Sequence, residues 1–117
     1  MAAQNPDCLF CKIVAGSIPV KLLHEDELSL AFADINPQAP THLLIIPRQH
    51  LTSLAHAANE QSALLGHLVS VATDLARSTD LINGYRIVIN TGEDAGQSVH
   101  HLHLHLLGGR PMTWPPG

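Results

Sequence analysis

Histidine is the residue type that stands out in this 117-residue chain. There are nine copies, and four of them fall at His100, His101, His103 and His105, interleaved with leucine. On a strand, side chains alternate between faces, so a strand over residues 100–107 places His101, His103 and His105 on one side and sends Leu102, Leu104 and Leu106 into the core. One histidine on such a strand is usually a solvated position. Three in register call for chemistry, and an internal run interleaved with leucine is not an expression tag. Two chemistries fit: a metal held by alternate imidazoles, or nucleophilic and acid/base work on phosphorus, for which a neutral imidazole keeps one ring nitrogen free near pH 7. The preceding loop favours the second. Gly92, Gly96, Gln97 and Ser98 offer backbone N–H groups, a hydroxyl and an amide, the donors a phosphoryl group needs as its charge shifts.

The second cluster is the pair Cys8 and Cys11, the chain's two cysteines. A disulfide between them would close a tiny loop and stabilise little. As C-x-x-C they form half of a tetrahedral zinc site, a redox pair, or two buried thiols. The redox reading is the weaker, because no βαβ pattern surrounds them. Thiols of this kind point to a reducing, cytoplasmic setting.

These residues need a scaffold. Hydrophobic residues make up 45% of the chain and charged residues 14%, which excludes a disordered polymer and supplies one core for a single domain over residues 1–117. The formal charge of −4 gives no positive field for a nucleic-acid backbone. The densest apolar stretch, 43–46, is too short to cross a membrane.

Asp7 is read as the cap of a short helix carrying Leu9, Phe10, Ile13 and Val14, stopped by Gly16 and Pro19, with both cysteines on its first turn. Leu28, Leu30 and Phe32 alternate with Ser29, Ala31 and Ala33, the period of a half-buried strand. A loop over 36–40 leads to a strand at 42–46 ended by Pro47, and the two strands pair as a hairpin. Leu64, Leu65, Leu68, Val71, Ala72 and Leu75 mark one long helix within 59–78. Asn83-Gly84 turns into a strand over 85–90, and the Gly-rich loop enters the histidine strand. The expected fold is α+β, a mainly antiparallel sheet with one short N-terminal and one long helix. Residues 1–7 are expected to be flexible and 108–117 to be an irregular tail, docked if at all by Trp114.

The segment 97–107, Gln-Ser-Val-His-His-Leu-His-Leu-His-Leu-Leu, resembles the signature of the histidine-triad (HIT) superfamily. Residues 34–42 (Asp-Ile-Asn-Pro-Gln-Ala-Pro-Thr-His) and the ending 108–117 are similar to its Hint branch of nucleotide-binding proteins, and the likeness runs from Cys8 to the C-terminus. It implies a homodimer whose sheets join, purine nucleotides bound at the triad, and hydrolysis of adenosine 5′-phosphoramidates to AMP and an amine. By that resemblance His103 is the nucleophile, with its ring oriented by the His101 carbonyl. His105 donates a hydrogen bond to the phosphate or leaving group, and Ser98 assists the departing amine. Phe10, Ile13, Ile18, Phe32 and Ile35 form the base pocket, and Asp34 holds the ribose hydroxyls. Asn90, Gly96 and Gln97 meet the phosphate, and His42 supports the triad. Trp114 reaches toward a partner's site. A carboxylate can accept both ribose hydroxyls, and an apolar slot binds a purine by burial and stacking, although by residue type alone Phe10, Ile13 and Phe32 read as ordinary core.

The same resemblance, to bacterial members of the superfamily, adds His50 and His101 to Cys8 and Cys11 as a zinc site. Such a Cys₂His₂ shell is closed, so the metal is structural and no catalytic metal is expected. His100 departs from the pattern, where an aromatic is usual. His24, His56 and His67 carry no motif and read as ordinary surface or helix residues. Three alternatives stay open: dinucleoside polyphosphate hydrolysis or nucleotidyl transfer on the same fold, a nucleotide-binding scaffold with incidental activity, and a zinc protein whose histidines serve only as ligands.

Overall fold

In a computed structural model, which describes residues 5–117, the chain forms helix α1 (Leu9–Val14), strands β1 (Leu22–Glu25), β2 (Ser29–Ala33) and β3 (Thr41–Pro47), helix α2 (Ser62–Ser78), and strands β4 (Tyr85–Val88) and β5 (Leu104–Gly108). The five strands make one antiparallel sheet in the order β1-β2-β3-β5-β4. This is the expected α+β architecture, including the β2–β3 hairpin.

The sheet separates two apolar layers. Ala31, Leu43, Ile45, Leu104 and Leu106 face α2, where they meet Leu68, Val71, Ala72 and Leu75. Leu30, Phe32, Leu44 and Ile46 face α1 and pack with Cys8, Phe10, Cys11 and Ile13. Strand β2 is therefore buried on both faces rather than half-buried: Ser29 and Ala31 are as enclosed as Leu30 and Phe32, while Leu28 is exposed. The small side chains of Ser29 and Ala31 admit α2 from behind, which alternation of apolar and small residues conceals.

Several boundaries differ from the sequence expectation. Cys8, not Asp7, caps α1, its sulfur accepting from the Cys11 N–H at 3.4 Å. Residues 1–4 of the segment expected to be flexible lie outside the described residues, and Asn5 to Asp7 form a turn whose Asn5 carbonyl accepts from the Cys8 N–H. Helix α1 ends as expected at Gly16, which takes the left-handed φ of +80° that a side chain would strain. A 3₁₀ turn over Asn59–Gln61 precedes α2. Strand β4 stops at Val88, short of Asn90. Strand β5 begins at Leu104, so His100, His101 and His103 precede the ladder in a segment that bends at 99–101 and that β3 and β4 do not pair.

The tail starts one residue later than expected, because Gly108 pairs with Thr41 and Tyr85 at the end of β5. A Cβ at Gly108 would meet the Leu81 side chain at 2.6 Å. Trp114 does not dock the tail. Its side chain is 82% exposed, and the tail is tied instead by Arg86, which donates to the Thr113 carbonyl, and by Arg110, which donates to the Gln38 carbonyl.

Candidate active site

The α1 face of the sheet carries a cavity of about 330 Å³. Apolar side chains make its body: Phe10 and Ile13 from α1, Ile18 from the turn after it, and Phe32 and Leu44 from the sheet. Phe10 stands edge-on to Phe32 and to His103, with ring centroids 5.8 and 5.1 Å apart. Asp34 and the fully exposed Ile35 lie at the rim, and His103, His105 and Ser98 complete the wall.

Main-chain geometry fixes His103. Its Nδ1–H donates to the His101 carbonyl at 2.7 Å, so the lone pair belongs to Nε2, the atom left for the cavity. Burial lowers its basicity, against the opposing pull of the His101 carbonyl and of Asp34, which favours the neutral ring that nucleophilic chemistry requires. His105, five ångströms away by ring centroid at 5.0 Å, is pushed down to about 4 by burial and by the neighbouring His103 and His42, with Asp34 opposing. His42, itself buried, lies behind His105, its Nε2 being 2.9 Å from His105 Nδ1 and 3.4 Å from Asp34 Oδ2. Asp34 Oδ1 accepts from the Asn36 N–H, which holds the carboxylate at the cavity's edge.

His101 does not join this wall. Its side chain is wholly buried, and its Nε2–H donates to the Pro47 carbonyl at 2.9 Å, which leaves Nδ1 facing the cysteines. Cys8 Sγ and Cys11 Sγ lie 3.4 and 3.5 Å from that nitrogen, His50 Nδ1 lies 3.2 Å from it, and Cys11 Sγ lies 3.2 Å from His50 Nδ1. A tetrahedral zinc with ordinary Zn–S and Zn–N bonds would set its ligands about 3.3 to 3.8 Å apart. The four donors fit that shell, and the Pro47 carbonyl is the outer partner that orients a metal-binding imidazole. Burial and Cys8 push the Cys11 thiol up, against a hydrogen bond from the Asn5 N–H. Two sulfurs and two ring nitrogens thus converge, all within 4.8 Å of one another.

Of the remaining sequence candidates, Gln97 is buried but turned into its own loop. Its Oε1 accepts from the Gly92 N–H, and its Nε2 donates to the Thr52 and Val99 carbonyls. Asn90, Gly96, His42 and Trp114 do not line the cavity. Leu9, Val20, Leu44 and Val99 do. Sequence reasoning had no sign of them, because an apolar pocket wall and an apolar core look alike until the fold is known. His24 and His67 are more than ordinary surface, since both rings point Nε2 at Asp26 Oδ2, at 2.6 and 2.8 Å, and join the β1–β2 turn to α2.

The chain as a whole is similar to known proteins. A 14 kDa zinc-binding protein of Zea mays is 53% identical over 111 residues, 93% of this chain and 87% of that protein. The structure of a HIT family hydrolase of Legionella pneumophila superposes with a TM-score of 0.93 at 52% identity, covering 95% of this chain and all of that one. A histidine triad nucleotide-binding protein of Candida albicans superposes at 0.79 with 32% identity, covering 95% and 85% of the two chains. The HIT domain model matches residues 15–112, and with the triad, the sheet and the helices all in place, the chain belongs to the HIT domain family.

Proposed function

We propose that the protein is a purine nucleoside phosphoramidase of the Hint branch, a single domain over its whole length, that releases AMP and an amine through a nucleotidyl-histidine on His103. The observation that carries this reading is the His103 ring, whose Nδ1–H is tied to the His101 carbonyl and whose free Nε2 belongs to an apolar cavity ending at Asp34. The base lies among Phe10, Ile13, Ile18 and Phe32, and the ribose hydroxyls bind the Asp34 carboxylate. The α-phosphorus then sits against His103, with Ser98 beside the departing amine and His105 donating to the phosphoryl group. Gly96, Gln97 and Asn90 act through the loop they build around the phosphate, in keeping with the internal bonds of Gln97.

Covalent attack by His103 divides one displacement into two easier steps. The zinc-binding relative and the tetrahedral spacing of Cys8, Cys11, His50 and His101 support a structural zinc, which would clip α1 to the sheet and take no part in the chemistry. A homodimer suits the sheet, in which β4 pairs on one side only, and would bring the exposed Trp114 within reach of a partner. The two free thiols suit a cytoplasmic location.

The test is incubation with an adenosine 5′-phosphoramidate, following AMP release and trapping the protein adduct by mass spectrometry. Wild type is expected to turn over and form an adenylyl adduct, and His103→Ala to do neither. AMP binding without turnover or adduct would replace this reading with that of a nucleotide-binding protein.

A further inference from the structure

The loop between β2 and β3 makes a contact outside the chemistry so far described. The Gln38 N–H donates to His42 Nδ1 at 3.0 Å. A ring nitrogen that accepts from an N–H cannot also carry a proton, so His42 is neutral with its hydrogen on Nε2. That hydrogen faces His105 Nδ1 at 2.9 Å, which must then be the acceptor. His105 is left with its hydrogen on Nε2, the nitrogen that remains for the cavity. From the other side, Arg110 in the tail donates through Nε and Nη2 to the Gln38 carbonyl, at 3.3 and 3.0 Å, and so steadies the residue at the head of this chain of bonds.

We propose that Gln38 is a positioning residue whose N–H, steadied by Arg110, locks His42 and His105 as neutral Nε2–H tautomers, making His105 a hydrogen-bond donor to the phosphoryl oxygens and never a proton source. The proposal rests on reading the cavity as a phosphoryl-transfer site. The titratable groups facing His105 are His103, His42 and Asp34, and of these only Asp34 favours a charged ring. A neutral imidazole that gave up its Nε2 hydrogen would become an imidazolate, whereas its donated bond strengthens as negative charge gathers on oxygen. As His103 Nε2 bonds to phosphorus the P–N bond breaks, and its electron pair goes to the amine nitrogen, which takes a proton from a water beside Ser98. The hydroxide so formed then displaces His103 from phosphorus, so one water balances the hydrolysis.

Nitrogen NMR of the ring atoms, on wild-type protein between pH 7 and pH 5.5, reads the tautomers directly. His105 is expected to keep its hydrogen on Nε2 throughout, and an imidazolium or an Nδ1–H form at pH 6 would overturn the lock. Kinetics supply the second arm, with an amine and a p-nitrophenolate leaving group on the same nucleotide, the latter departing without a proton. His105→Ala is expected to slow both on the order of a hundredfold, and His105→Gln, a donor with no acidic proton, to restore most of the rate on both. A penalty confined to the amine substrate and not restored by glutamine would make His105 a general acid. Arg110→Ala is expected to lower kcat a few-fold on both substrates with KM little changed, and an unchanged kcat would remove Arg110 from the mechanism. If wild type turns over neither substrate, the phosphoryl-transfer reading falls, while the ring spectra still decide the tautomers.

Discussion

Acid should loosen this fold through His105, and the size of the effect follows from the ring's surroundings. Burial and the neighbouring imidazoles take His105 from an ordinary 6.5 to about 4. Above pH 6.5 the ring is neutral in both folded and unfolded chains, and its titration contributes no slope. As pH falls from 6.5 toward 4 the unfolded chain binds a proton that the folded one refuses, so stability is lost across that window and the loss ends below about 4. A gap of about 2.5 in pKa corresponds to at most ~3.4 kcal/mol, and because the ring is only partly buried, solvent screening reduces this to about 1.5–2 kcal/mol. The assay is urea unfolding at pH 7.0, 5.5 and 4.5 for wild type and His105→Gln. The comparison of slopes cancels the contributions of His101 and of the cysteine–histidine cluster, which both proteins share. Wild type should lose about 1.5–2 kcal/mol more than the variant between the extremes. Parallel pH profiles would refute the reasoning, since the ring would then carry no proton linkage.

Three other outcomes are expected. Metal analysis of purified protein should give one zinc per chain, and Cys11→Ser should abolish it and lower the unfolding temperature as α1 loses its tether to the sheet; full zinc occupancy in the variant would exclude Cys11 as a ligand. Phe10→Ala should cost about 3–5 kcal/mol of stability by opening a cavity in the α1 layer and should weaken AMP binding, measured by calorimetry, whereas unchanged affinity would place the base elsewhere. Gly108→Ala should destabilise by about 1–3 kcal/mol because its methyl group would meet Leu81 at 2.6 Å; a neutral result in thermal unfolding would mean that the Leu81 rotamer moves freely.

The sequence made the chemistry more legible than its supports. His101, His103 and His105 announced themselves by spacing, even though the segment before Leu104 bends at 99–101 and lies outside the ladder. What spacing could not reveal was that the three rings have separate duties: His101 turns its ring to the cysteines while His103 and His105 face the cavity. The helix cap was misplaced because aspartate is the commoner capping residue, whereas here a cysteine sulfur takes the role. Strand β2 looked half-buried since Ser29 and Ala31 are small, and smallness reads as exposure until a helix is seen to pack against it. Gln38 makes its contacts to His42 and Arg110 through its own main-chain N–H and carbonyl, on which residue identity is silent.

One consequence reaches beyond this molecule. His101 meets the cysteine cluster with its side chain but aligns His103 with its carbonyl, and every amino acid possesses a carbonyl. A lineage that shed Cys8 and Cys11 could therefore let position 101 drift to another residue able to fill the space beside Phe10, and the nucleophile would keep its bearing. On the proposed reading, the metal could thus be lost while the alignment of the His103 ring is kept.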